Sequence, residues 1–205
     1  RKNDIRRVSH DQIQARQRLE RLSVQASIFA ETQNQPQGTV TPLEVRPRLQ
    51  QSSDTCLLAS VMAVKDAMAR RNNRVPMFDE NVVAANARAA GLLGNGGMAT
   101  ERQDVREQTE KFLEDQFGVR MDYIDTSDPV ALGKACVTAL NDKRVPILNS
   151  SLGGSVSHWV SIYGMDKQED GNVTWKIADP LRPEPYTITT AQLSERLQGR
   201  DGTAS

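Results

Sequence analysis

Aromatic residues supply only 4% of this 205-residue chain, so its interior must be built mostly from Leu, Val, Ile and Ala. The hydrophobic fraction of 38% is still enough for a folded domain of this length. There are two cysteines, too few for a disulfide framework, which leaves each thiol either buried or chemically employed. There are two histidines, and no pair of Cys or His stands at the short spacing a structural zinc site needs. An excess of one charge is also missing: 26 basic residues balance 26 acidic ones, which argues against a surface field built to hold nucleic acid. No apolar run approaches the roughly 18–20 residues of a membrane-spanning helix. The chain opens on Arg1 instead of Met and is expected to be a piece of a longer polypeptide.

Three stretches follow one another. Residues 1–31 predict an amphipathic helix, with Ile5, Val8, Ala15, Leu19, Leu22, Ala26 and Phe29 at alternating steps of three and four, Gln12 interrupting. Its arginines make this end locally basic, and it reads either as a helix docked on its own domain or as a junction to a partner helix or parent protein. Residues 32–48, with Pro36, Gly38, Pro42 and Pro47, read as a surface linker. Residues 49–205 read as the main domain. Asp54 or Thr55 is placed to cap a helix from Cys56 towards Arg71, Asp79 opens a second to about Ala90, and Thr100 caps a third. The glycine-rich 91–97 segment lacks the Lys-Ser/Thr pair of a phosphate loop and reads as a turn. Beyond Gly118 the pattern predicts a strand at Val119–Ile124, a helix at Pro129–Leu140 and a short strand at Val145–Asn149. A hairpin follows, His158–Gly164 with Val173–Ala178, then a strand at Tyr186–Thr189 and a helix near Ala191–Leu197. Helices followed by an antiparallel sheet give an α+β class.

The scarcity of Cys and His constrains the chemistry. Nucleophilic catalysis by a thiol needs a base within hydrogen-bond reach and a group that orients the base. Cys56 stands at a predicted helix start, where unpaired N–H groups and the helix dipole favour a thiolate. Cys136 lies among Leu132, Val137 and Leu140 inside a predicted helix and is expected to be inert. His158 opens an apolar strand, whereas His10 sits among arginines on the first helix. Asp179 ends the strand that pairs with that of His158, so a simple hairpin brings the two side chains together. Gln50 lies six residues before Cys56, where its amide can point at a developing oxyanion beside the Cys56 N–H. Such a donor is worth about 3–4 kcal/mol in a transition state. Gln51 is an adjacent rival, and the spacing favours Gln50.

These segments, QQSSDTCLLAS, HWVSIYGMD and WKIADPLRP, resemble the papain-like cysteine peptidases, above all the C39 and C39-like branch. The resemblance covers roughly residues 48–198. It rests on Gln50 and Cys56 at their spacing, Ala59 behind the cysteine, His158 with its aromatic and aliphatic strand, Tyr163-Gly164, and Asp179-Pro180. It implies a helical lobe carrying the Cys helix and a C-terminal antiparallel sheet carrying His and Asp. It further implies Cys56 as nucleophile, His158 as general base and acid, Asp179 as orienter and Gln50 as oxyanion donor, with no cofactor and no metal. Leu57 departs from the glycine that usually follows the nucleophile in this family, and its bulk is expected to narrow the oxyanion region or the cleft.

The resemblance thus implies a thiol endopeptidase cutting after small residues, with Gly-Gly the preference of the C39 branch. The segment 151–157 beside His158 is expected to form one wall of the cleft. Papain-like domains of this kind resemble the C-terminal toxins of secreted or injected bacterial effectors. That resemblance implies a protein substrate in the cytoplasm of a target bacterium and a cognate immunity protein as partner, with neither nucleic acid nor membrane involved. Three other readings use the same residues: a glutamine deamidase or transglutaminase-like effector, an inert binding module, and a cell-wall amidase. The amidase commonly uses a second His where this chain has Asp179.

Overall fold

The computed structural model describes residues 2–100, 102–124, 126, 128–151 and 157–198. Helix α1 (Lys2–Gln33) opens the chain. Its last third turns Val24, Ile28 and Thr32 inward, while residues 10–23 are exposed throughout. The stretch expected as a linker does more than connect. Residues Gly38–Val40 form strand β1, and Leu43 and Val45 are buried behind it. A three-residue strand that begins on Gly38 and lies between Pro36 and Pro42 gives no alternation for a sequence reading to detect.

Helix α2 (Cys56–Arg71) starts after Thr55, whose side chain makes no cap bond. Every residue from Cys56 to Ala63 is buried, so its first two turns form a central post. Helix α3 (Glu80–Ala89) is capped as expected by Asp79, whose carboxylate accepts the Asn81 N–H at 2.9 Å. A minimal hairpin of β2 (Leu93–Gly94) and β3 (Gly97–Met98) follows. Helix α4 (Gln103–Phe117) begins after Arg102 without a side-chain cap, so Thr100 does not cap it. It ends on Gly118 in the left-handed conformation, φ 60°.

The expected strand at Val119–Ile124 is irregular chain. Its alternation is satisfied locally. Val119 and Met121 pack on the core around α2 and α4, the Met121 N–H donates to the Glu114 carboxylate at 2.8 Å, and Arg144 grips Asp122. Alternation places side chains, but a strand also needs a neighbour for its backbone.

Helix α5 (Pro129–Asn141) has Asp128 as N-cap and proline in its first turn, a pairing that needs no further nucleation signal. Strands β4 (Ile147–Ser151), β5 (Ser157–Lys167), β6 (Val173–Ala178) and β7 (Tyr186–Thr189) come next, then α6 (Thr190–Gln198). The class is α+β with an antiparallel sheet, although α5 precedes four of the five strands and α6 follows them.

Strand β5 is the spine of the sheet. One edge pairs with β6 and then, through β6, with β7. The other edge is shared, with β4 alongside Ser157–Ser161 and β1 alongside Met165–Lys167. A bulge between Ile162 and Gly164 shifts the alternation by one. Val160 and Ile162 therefore face α1, α5 and α6, Tyr163 turns to the α2 side, and Met165 returns to the first side. At Gly164 a Cβ would lie 2.7 Å from Thr41 Oγ1 and 3.0 Å from the Val40 carbonyl, so only glycine admits the chain leaving β1. Two bonds tie α2 to the spine: Ser60 Oγ donates to the Trp159 carbonyl at 3.1 Å, and Ser161 Oγ to the Ser60 carbonyl at 3.4 Å. These fix the start of α2 relative to the start of β5. Among the described residues no helix is long and apolar enough to cross a membrane.

Candidate active site

The turn before α2 is held from several directions. The Gln50 N–H donates to the Pro180 carbonyl at 3.0 Å, joining the chain ahead of Cys56 to the chain just past Asp179. The Gln51 N–H donates to Glu80 Oε1 at 2.8 Å, and the Thr55 hydroxyl donates to the same oxygen at 2.6 Å. Glu80 is 1% exposed, and its Oε2 has no partner among the described residues. At the far end of α3, Arg88 pairs with Asp54 at 2.9 Å, and Ser52 donates to the same carboxylate. Burial pushes the Asp54 carboxyl up, but the Ser52 and Arg88 bonds outweigh it and leave it below the usual carboxylate value. Both ends of α3 thus brace the loop that delivers Cys56.

Cys56 is the first residue of α2 and is 6% exposed. Across from it His158 and Asp179 come together, His158 Nε2 to Asp179 Oδ1 at 2.7 Å. Asp179 is further fixed by the Leu181 N–H on Oδ1 at 2.9 Å and by the Tyr186 hydroxyl on Oδ2 at 3.2 Å. Tyr186 in turn accepts from Arg196 Nη1 at 2.9 Å, and the Arg182 guanidinium lies 4.3 Å from its ring centre. The Cys56 side chain lies close enough to the imidazole to help raise its pKa. With Nε2 engaged by Asp179, Nδ1 is the atom left for the sulfur.

The electrostatics follow from these contacts. Burial pulls the His158 pKa down, but Asp179 and Cys56 together carry it up to about 9. Burial pushes the Asp179 carboxyl up, yet the bonds from His158, Leu181 and Tyr186 hold it below the ordinary value. The pair is therefore an imidazolium on a carboxylate at neutral pH, with a sulfur on the open side of the ring.

Cys136 is a contrast. It lies in α5, 3% exposed, and burial pushes its thiol up to about 12. His10 is exposed on α1 with Gln14 at 2.9 Å and takes no part in the cluster. Gln50 sits at the turn, but its Nε2 donates to the Ser52 carbonyl at 2.7 Å, while Oε1 is buried without a partner among the described residues. An amide carries two N–H groups, so one remains beyond the Ser52 bond. The expected wall at 151–157 falls mostly on residues 152–156, outside the described residues. Among the described residues no three His, Cys, Asp or Glu side chains gather as a metal cluster.

A cavity of about 340 Å³ lies beside this cluster, bounded by α2, α4, α5 and β4 and lined by Leu57, Val61, Leu113, Met121, Ile147 and Trp159. Cys56 and His158 do not line it. The residues immediately after them, Leu57 and Trp159, do.

Sequence reasoning did not single out Glu80, Tyr186 or Arg196. Glu80 reaches back 25 residues to Thr55, and nothing near it in the chain marks that contact. Tyr186 read only as the start of a strand. Comparison with protein-family models, curated proteins and solved structures finds no match to the chain.

Proposed function

We infer that this chain is a cysteine endopeptidase of papain-like architecture. The observation that carries the reading is the buried His158–Asp179 pair, bonded at 2.7 Å, with Cys56 close enough to raise the imidazole pKa and standing at the N-terminus of a buried helix. A carboxylate on Nε2 fixes the ring and its tautomer, so Nδ1 can exchange a proton with the sulfur and with a leaving group.

The Cys56 thiolate attacks a peptide carbonyl, forming the C–S bond as the carbonyl π electrons move to oxygen. The remaining Gln50 N–H and the Cys56 backbone N–H serve as the donors to that oxyanion in this reading. Collapse expels the amine, which takes the Nδ1 proton of His158 and leaves a thioester on Cys56. A water, deprotonated by the now neutral His158, attacks the thioester. Collapse of that second adduct releases the carboxylic acid, and the thiolate–imidazolium pair is restored. The preference for small residues ahead of the scissile bond, Gly-Gly among them, is carried over from the resemblance of the Gln50–Cys56, His158 and Asp179 segments to the C39 branch.

The test is expression of wild type and Cys56→Ala in bacterial cytoplasm, followed by terminal-peptide proteomics and intact-mass analysis. Wild type is expected to create new termini and, as an injected toxin would, to slow growth. Cys56→Ala does neither, and Cys136→Ala behaves nearly as wild type. Equal cutting by wild type and Cys56→Ala overturns the assignment. Amide-to-acid mass changes on intact targets, with no new termini, replace it with a deamidase.

A further inference from the structure

The exposed part of α1 carries an apolar stripe that the domain does not use. Leu19 is 68% exposed, Leu22 53% and Phe29 37%. With Gln12, Ala15 and Ala26, all exposed, they follow strict steps of three and four, and the same steps extend in sequence to Ile5 and Val8. Alternating steps of three and four repeat every seven residues, a period of 3.5, and carry the stripe from Ile5 to Phe29. That period fits the seam of a supercoiled helix pair better than the 3.6 of a helix lying on a globular core.

The domain holds α1 by another side. Among the described side chains of α1, Val24, Ile28 and Thr32 are buried, Val24 and Ile28 in the cluster with α5, α6 and the sheet. With the stripe assigned as heptad positions a and d, Val24 and Ile28 fall at f and c, on the far side of the helix. The domain therefore sits behind the helix and leaves the seam facing outward. At its C-terminal end the stripe meets the β5–β6 turn: the Phe29 ring would lie 4.0 Å from a Cβ added at Gly171, and Gln33, the next a position, donates to the Gly171 carbonyl at 3.3 Å.

We propose that this seam pairs with the same seam of a second copy of the chain, as a parallel, in-register two-stranded coiled coil. Two observations select that occupant and that direction. Asp11 falls at a g position and Arg16 at the following e position, so a parallel pair places Asp11 of each copy against Arg16 of the other, an attraction formed twice. Arg16 also holds Glu20 of its own helix through Nε at 3.1 Å, and a guanidinium with five donors can serve both. Gln12 is the single polar residue at an a position. In register the two Gln12 amides meet and can bond each other, whereas the antiparallel arrangement that uses the whole stripe sets each against a Leu22. None of this depends on the thiol chemistry.

The experiment uses the full 205-residue chain. Light scattering on eluting protein at high micromolar concentration is expected to give twice the 22.7 kDa chain mass, falling towards one on dilution. Leu19→Glu with Leu22→Glu is expected to give the monomer mass at every concentration, with helical content reduced only in α1. A Leu22→Cys, Cys56→Ala chain is expected to form a disulfide dimer on mild oxidation, because a d position faces itself only in the parallel register. A wild type that stays monomeric overturns the proposal, as does a dimer untouched by the two glutamates. A dimer that yields no Leu22→Cys cross-link overturns the parallel register. Global unfolding of the glutamate variant shows that these residues are not free in the protomer, and overturns it as well.

Discussion

His158 lies 5% exposed between a carboxylate and a sulfur, and both neighbours favour its protonated form. In the unfolded chain an imidazole titrates near 6.5, whereas here it keeps its proton up to about 9. A folded value raised above the unfolded one means the native state binds the proton more tightly. The stabilisation is therefore complete below about pH 6.5 and is lost as the pH rises through about 9. The expected outcome is a urea midpoint that falls over this window in wild type and stays flatter in His158→Gln. Cys56→Ala should bring the upper limit of the window down, since the sulfur supplies part of the shift. Parallel midpoint curves for all three chains would contradict the arrangement. Glu80 is the second residue with a defined cost. Glu80→Ala leaves the Gln51 N–H without its acceptor and the Thr55 hydroxyl with the Ser52 carbonyl alone, at 2.9 Å, a loss of about 0.5–1.5 kcal/mol per bond. Glu80→Gln keeps an oxygen at that place and is expected to recover most of the loss in the same denaturation measurement. The two residues differ in legibility. His158 and Asp179 were readable because a hairpin joins them over 21 residues and needs no tertiary assumption. Glu80, like Tyr186 and Arg196, is defined only by what folds against it.

Among the elements, the first helix meets the fifth at its tightest point. A Cβ at Gly133 of α5 would lie 2.5 Å from Ile28 Cγ1 and 2.8 Å from its Cδ1, and Ile28 is wholly buried. Gly133→Ala is expected to cost about 1–3 kcal/mol by overpacking, despite the helix propensity it adds. In the Ile28→Ala background the same substitution should be near neutral or stabilising. A double-mutant cycle from denaturation curves checks this, and strict additivity would show that the helices do not meet as described. Helices with a cap or a left-handed glycine, such as α3, α5 and the end of α4, were readable from local chemistry. The segment Val119–Ile124 was misread because its side chains alternate while its backbone has no strand beside it. Strand β1 was invisible because its pairing partner lies more than a hundred residues away.

For the molecule as a whole, α1 divides into a part the domain needs and a part it does not. Removing residues 1–22 should leave the denaturation midpoint within error of wild type, because the described side chains up to Ser23 are exposed. Removing residues 1–33 takes Val24 and Ile28 out of the main cluster. That deletion should cost at least about 3 kcal/mol at 1.5–3 kcal/mol per buried aliphatic side chain. The α+β class could be read from the order of helical and alternating segments. The shared edge of β5 could not, since which strands flank a spine is settled by packing between distant parts of the chain.

The amide hydrogen of Gln50 and the carbonyl oxygen of Pro180 fasten together the two loops that bear the sulfur and the carboxylate. Main-chain atoms make that fastening, so every amino acid except proline preserves it. Substitution at position 50 can therefore be resolved into two separable losses: replacement by alanine discards the side-chain amide alone, and replacement by proline also releases the latch.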